Sequence, residues 1–177
     1  CSGLVGSEMC IRDSLHTSPE FPMKRLLAAG SGPIYQLCRV FRNGEQGRLH
    51  NPEFTLLEWY RPGFDHQALM GEMSRLLQAL SPKPLSEERL SYAEAFQRHL
   101  QIDPHTASAD ELRECAVGQA IAGAEDLSLE GRDAWLDLLL SHRIEPHLGV
   151  GGICFLYDYP ASQAALSRIP VSYTHLT

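Results

Sequence analysis

The chain has no long hydrophobic run. Its longest apolar stretches, such as WLDLLL at residues 135–140, fall far short of the roughly 20 residues that a membrane-spanning helix needs, so a helical membrane protein is excluded and no membrane partner is expected. Cysteine is scarce, with five in 177 residues. Cys1 and Cys10 lie in terminal stretches set aside below, which leaves Cys38, Cys115 and Cys154, widely spaced and odd in number. That pattern excludes a disulfide framework or a zinc cluster and suits reduced thiols in a cytoplasmic protein. Basic charge is also short: 15 Lys and Arg stand against 22 Asp and Glu, a formal net charge of -7. Such a balance argues against holding nucleic acid by bulk charge, although tRNA contacts elsewhere in a larger protein stay open. The chain contains no internal repeat and no low-complexity segment. Eight histidines are present, but His142 and His147 in HRIEPH fall on different helical faces with Pro146 between them, which reads as surface histidine rather than metal ligation.

The two ends are unusual. MCIRD at residues 9–13 can be written ATG TGT ATA AGA GAC, and the reverse complement of that DNA encodes VSYTH, the sequence of residues 171–175. Inverted repeats of this kind flank transposon insertions, and LVGSEMCIRDS and VSYTHLT are similar to translated tags of transposon-based sequencing libraries. Residues 1–14 and 170–177 are therefore expected to be tag-derived and are left out of fold reasoning. Residues 15–169 are read as native and as part of a longer gene product. About 155 residues suit one domain with a real core.

Within that span, Ser18, Pro19 and Gly30 predict one helix over TSPEFPMKRLLAAG, with Ser18 as the N-cap, Pro19 at the first helical position and Gly30 closing the end. PIYQLCRVFR and EFTLLEWYR are rich in β-branched and aromatic residues, and the Gly, Asn and Pro of NGEQGRLHNP separate them, so they read as an antiparallel hairpin. From Asp65 the pattern turns helical, with an apolar stripe of Leu69, Met73, Leu76, Leu77 and Leu80 that ends at SPKP. Ser91 with Glu94 and Ser108 with Glu111 form two capping-box patterns, each announcing a helix. A further helix carries Trp135, Leu138 and Leu139, and GICFLYDYP alternates as a strand. The fold class expected is α+β, built on an antiparallel sheet with flanking helices.

The hairpin connection carries the strongest functional signal. Connections of about two to five residues are usual, whereas this one spans residues 43–52 and contains Glu45, Arg48, His50 and Asn51. Side chains alternate along a strand, so Glu58 and Tyr60 share a face, as do Val40 and Arg42. If the register brings these faces together, Arg42, Glu58 and Tyr60 form one polar platform. An Arg can stabilise charge growing on a phosphoryl oxygen, a loop Glu can accept from an adenine amino group, and a Glu with a Tyr can fix an ammonium. Nucleotidyl transfer to a carboxylate suits such a set. Spacing alone also allows a solvated hairpin with surface charges.

FRNGEQGRLHNPEFTLLEWYR resembles motif 2 of the class II aminoacyl-tRNA synthetases, in the form of the lysyl-tRNA synthetase group, with HNPEFT a long and specific match. Across residues 15–169 the sequence is most similar to the paralogues in that group that ligate (R)-β-lysine to elongation factor P. LEWYRP stands where ordinary lysyl enzymes have a MELY-like stretch, Ser18 stands where they usually carry Ala, and YPASQAALS resembles the paralogues' version of a later substrate-pocket strand. The resemblance implies a partial class II catalytic domain, with Ser18, Glu20, Glu58 and Tyr60 at the amino acid and Arg42, Glu45 and Asn51 at ATP. Arg42 would be the catalytic contact to phosphate. The family often has Glu two positions after this arginine; Gly44 stands there, which makes Glu45 the expected substitute. Motif 1, which builds the homodimer interface, would precede this span, and motif 3 and the acidic residues that bind Mg²⁺ would follow it. No metal ligand is therefore expected here, and the chain alone is expected to be inactive. The implied reaction uses ATP and Mg²⁺ to activate (R)-β-lysine or lysine and passes it to elongation factor P. The alternatives left open are aminoacylation of tRNA(Lys) and a non-catalytic pseudo-synthetase that binds a partner.

Overall fold

The computed structural model describes residues 15–42, 47 and 50–164. Both tag-like segments, residues 165–169 of the last stretch, and loop residues Gly44, Glu45 and Arg48 lie outside the described residues. The elements in chain order are α1 (Glu20–Ala28), β1 (Ile34–Phe41), β2 (Glu53–Tyr60), α2 (His66–Leu80), β3 (Ser86–Ser91), α3 (Tyr92–Leu100), α4 (Ala109–Gly118), α5 (Arg132–Leu139) and β4 (Gly152–Tyr157). A π-helical turn (Leu140–Ile144) and two short 3-10 turns (Glu145–His147 and Ala161–Gln163) complete the set. This is the mixed α+β composition that the sequence predicts. The chain divides into two compact units, one through Leu69 and one from Met70.

In the first unit α1 starts one residue later than the spacing suggests. Pro19 takes the cap position, and the Ser18 hydroxyl accepts the Glu20 N–H at 3.0 Å from outside the helix. Gly30 ends the helix as expected. At φ 86° it adopts the left-handed conformation that costs glycine least. The Gly30 N–H reaches the Leu27 carbonyl at 2.9 Å and the Ser31 N–H reaches that of Leu26 at 3.1 Å, the paired bonds of a Schellman motif.

The hairpin forms in antiparallel register from Ile34 opposite Tyr60 to Phe41 opposite Glu53. One further bond, Arg42 N–H to the Pro52 carbonyl at 2.9 Å, extends the ladder. Because side chains alternate, even-numbered residues of both strands share a face. Val40 on that face is buried, and Cys38, Phe54, Leu56, Glu58 and Tyr60 are half-buried. The segment before α1 runs beside the end of β1, where the His16 carbonyl accepts the Phe41 N–H at 3.0 Å. The odd face carries Tyr35, Leu37 and Leu57, which are 77%, 65% and 39% exposed.

Helix α2 forms where the stripe predicts it, with the Asp65 carboxylate accepting the Ala68 N–H at 2.8 Å over its first turn. Its apolar stripe is only partly covered: Met73, Leu76 and Leu77 are half-buried, while Leu80 is exposed. No helix among the described residues is long and apolar enough to cross a membrane.

The second unit holds the main core, in which Leu90, Tyr92, Phe96, Leu112, Trp135, Leu136, Leu139 and Ile144 are buried together. Burying one such side chain contributes about 1.5–3 kcal/mol. Both capping boxes are present: Ser91 caps α3 with Glu94, and Ser108 caps α4 with Glu111. Helix α5 passes directly into the π-helical turn, which carries Leu140 and Ile144 into the same core. His142 and His147 are exposed, and the His147 ring stacks on His99 with centroids 5.2 Å apart.

Strand β4 was expected, whereas its partner β3 was not. The two pair in parallel from Ser86 opposite Gly152 to Ser91 opposite Tyr157 as a separate two-stranded sheet, so the strands are not all antiparallel as the sequence predicts. SEERLS offers almost no apolar alternation, because only Leu90 of β3 is buried. The pair is closely fitted. A Cβ at Gly152 would lie 2.5 Å from the Ser86 carbonyl oxygen, so no larger residue fits without moving the backbone.

Candidate functional site

The first unit gathers most of the expected site residues. Glu58 and Tyr60 lie on one face of β2, close enough for the Tyr60 hydroxyl to donate to Glu58 Oε1 at 2.6 Å. The turn into α1 delivers Ser18, whose hydroxyl donates to Glu58 Oε2 at 2.9 Å. Both oxygens of Glu58 are therefore held, and the Glu20 N–H fixes the Ser18 hydroxyl in turn. Charge-assisted bonds of this type are the stronger ones, so the carboxylate is oriented before any ligand arrives.

Burial raises the Tyr60 pKa above its ordinary value, and the hydrogen bond to Glu58 and the negative charges of Glu58 and Glu20 raise it further. Tyr60 thus stays protonated and acts as a donor throughout the working pH range. Two carboxylates framed by neutral hydroxyls suit a primary ammonium. Glu20 already holds one, since Lys24 Nζ lies 2.5 Å from its Oε1.

Arg42 continues the same face beyond Val40. Its guanidinium lies over the Phe54 ring, 5.2 Å from the centroid, and its Nε–H donates to the Thr17 carbonyl at 3.4 Å. The register therefore does place Arg42, Glu58 and Tyr60 on one face. They do not form one cluster, however. Arg42 pairs at Pro52 and Glu58 at Gln36, and at about 3.3 Å per residue the two Cα atoms stand about 20 Å apart. The segment before α1 joins the two ends, with Thr17 touching Arg42 and Ser18 touching Glu58. Such a face suits an elongate ligand with an anionic part near Arg42 and a cationic part near Glu58.

Asn51 is exposed just beyond the hairpin ladder. The neighbouring His50 is tied to Gly47 by reciprocal backbone bonds of 3.1 and 3.3 Å. The expected adenine contact, Glu45, lies outside the described residues. In the second unit, Ser162 donates to Asp133 at 2.8 Å and Gln163 to Asp137 at 3.0 Å, which ties the YPASQ stretch to α5.

Three members of the face were not singled out from sequence: Phe54 beneath Arg42, Cys38, and His16. Cys38 lies between the two ends, nearer the Glu58 end, with its sulfur 3.6 Å from His16 Nε2. The parity that selected Glu58 and Arg42 could have found Phe54 and Cys38. Nothing local marks His16, because its placement depends on a bond across the strand end. Among the described residues, no group of three or more His, Cys, Asp or Glu side chains is placed to hold a metal ion.

Comparison with known proteins identifies the family. The family model for tRNA synthetases class II (D, K and N) matches residues 6–174. A protein of Salmonella arizonae named "Elongation factor P--(R)-beta-lysine ligase" is 54% identical over 156 residues, covering 88% of this chain and 47% of that protein. A protein of Edwardsiella ictaluri with the same name is 54% identical over 155 residues, again covering 88% and 47%. The chain thus spans about half the length of the curated relatives it matches. With a family match over nearly its whole length, the chain belongs to the class II tRNA synthetases of the D, K and N group.

Proposed function

We propose that this chain works within an ATP-dependent ligase that activates a lysine-type amino acid as its acyl-adenylate and transfers it to a lysine of elongation factor P. The observation that carries the proposal is the Glu58 carboxylate, clamped by Ser18 and Tyr60 on the same sheet face as Arg42. Glu58 and Glu20 hold the substrate ammonium groups, and the Tyr60 hydroxyl orients Glu58. In the first step a substrate carboxylate oxygen attacks the α-phosphorus of ATP. An O–P bond forms, the bond to the β-phosphate oxygen breaks, and pyrophosphate leaves. Arg42 stabilises the charge that grows on the α-phosphoryl oxygens, and Asn51 and Glu45 are assigned to the nucleotide. In the second step a neutral lysine amine of the acceptor attacks the acyl carbon. An amide forms, AMP departs, and the amine loses a proton to solvent. Magnesium accompanies ATP in this class of reaction. Among the described residues no cluster of His, Cys, Asp or Glu is placed to hold it.

The names of the relatives support the choice of acceptor, and a translation factor as acceptor implies a cytoplasmic setting. The family description supports a second reading, charging of tRNA(Lys). The test is to incubate the complete protein, dimeric in this proposal, with ATP, labelled (R)-β-lysine or α-lysine, and either elongation factor P or tRNA. Label on elongation factor P, with (R)-β-lysine preferred, is the expected result. Efficient charging of tRNA with none of the protein would replace the proposal with the second reading. Absence of amino-acid-dependent pyrophosphate exchange would leave a non-catalytic binding protein.

A further inference from the structure

We propose that Cys38 and His16 form a reactive thiol–imidazole pair on the ligand face, and that covalent modification of Cys38 by a soft electrophile closes that face to substrate. The first part rests on geometry alone; the second also rests on the functional reading above. Cys38 is on β1, opposite Leu56, and its parity puts it on the face shared by Arg42, Phe54, Glu58 and Tyr60. Its sulfur lies 3.6 Å from His16 Nε2, within the range of a sulfur hydrogen bond, and the thiol is only half-buried beside an exposed imidazole. An imidazole that can take the proton is what turns a thiol into a nucleophile.

The other two described cysteines lack this arrangement. Burial raises the thiol pKa of Cys115, and burial followed by the charge of Glu88 raises that of Cys154. Each unit of such a rise lowers the thiolate fraction near neutral pH about tenfold. Position gives the modification its consequence. Ser18 on Glu58 and Thr17 on Arg42 mark the two ends of the face, and Cys38 stands on the strand between them. An adduct on its sulfur would occupy the path that an elongate ligand must follow.

The reaction with N-ethylmaleimide serves as the probe. The Cys38 proton passes to His16 Nε2, and the sulfur lone pair forms an S–C bond with one alkene carbon. The C=C π bond breaks toward the neighbouring carbonyl, and the resulting enolate takes a proton back from the imidazolium. The net change is addition of the thiol across the double bond, with no oxidant required.

The experiment treats the folded chain with substoichiometric N-ethylmaleimide at neutral pH and follows each cysteine by peptide mass spectrometry. Cys38 should react at least about tenfold faster than Cys115 and Cys154, and His16→Phe should remove most of that advantage. In denaturant the three should react at similar rates, which separates folded-state activation from peptide context. Equal rates in the folded chain, or an unchanged Cys38 rate in His16→Phe, would overturn the reactive pair. In the complete protein, labelling of Cys38 should abolish lysine-dependent pyrophosphate exchange, and prior incubation with ATP and lysine should slow labelling. Full labelling with exchange intact would overturn the closure. A complete protein with no exchange before labelling would instead refute the functional reading, while the order of cysteine reactivity would still decide the pair.

Discussion

At the scale of single residues, the site is an arrangement of hydrogen bonds around one carboxylate. Tyr60→Phe removes the donor to Glu58 Oε1 and keeps the ring. A hydrogen bond to a charged group contributes about 2 kcal/mol, so KM for the amino acid in pyrophosphate exchange should rise about thirtyfold, with a smaller change in KM for ATP. Arg42→Ala should show the opposite division. By analogy with the loss of one oxyanion donor it should cost about 3 kcal/mol of transition-state stabilisation, read as a lower kcat in the same assay with amino-acid affinity nearly kept. An unchanged kcat would remove Arg42 from the chemistry. The shared face of Arg42, Glu58 and Tyr60 was legible in the sequence, because period-two alternation fixes a face without any knowledge of the rest of the fold, whereas Ser18 was reached only through the family resemblance. What alternation could not supply is the distance between the two ends, or the bridge that Thr17 and Ser18 make between them. Both depend on register and on a segment 40 positions away from Glu58 in the chain.

At the scale of elements, stability in the second unit depends on pH through two separate devices. The His99 pKa is lowered first by burial and then by His147 and Arg98, with Glu88 opposing. A histidine whose folded pKa lies below its unfolded value of about 6.5 takes up protons more readily when unfolded. Stability should therefore fall as pH drops below about 6.5, and His99→Gln should flatten that part of a denaturation profile. The carboxylates of Glu94 and Glu111 are also shifted downward, held low by hydrogen bonds from Ser91 and Ser108 respectively. Their contribution is complete above the unfolded value of about 4.5 and is lost as pH falls through the depressed folded values. Ser91→Ala and Ser108→Ala should each cost about 1 kcal/mol near neutral pH and should weaken the acid-side transition, as measured by circular dichroism. These caps were legible because Ser followed three positions later by Glu is a local chemical signature. Strand β3 was not, since SEERLS becomes a strand by pairing with β4, far along the chain.

At the scale of the whole molecule, the hairpin has two faces of different character. One carries the candidate site, and the other carries Tyr35, Leu37 and Leu57, all exposed. Apolar sheet surface of this kind favours association, so the chain on its own should elute from size exclusion as concentration-dependent oligomers. The Tyr35→Lys/Leu37→Lys double variant should shift it toward monomer, and light scattering that shows the parent chain monomeric at all concentrations would reject this expectation. The same alternation governs which changes of length the gene can accept. A single codon inserted within β1 would turn every later side chain of that strand to the opposite side, exchanging Cys38 and Val40 for their neighbours and leaving β2 unmatched. A codon inserted in the loop that connects the strands would leave the alternation of both strands untouched, at a small entropic cost. Insertion scanning read by folding alone should therefore find sharp boundaries at Arg42 and Pro52, with intolerance on the strand sides and tolerance within the loop between them.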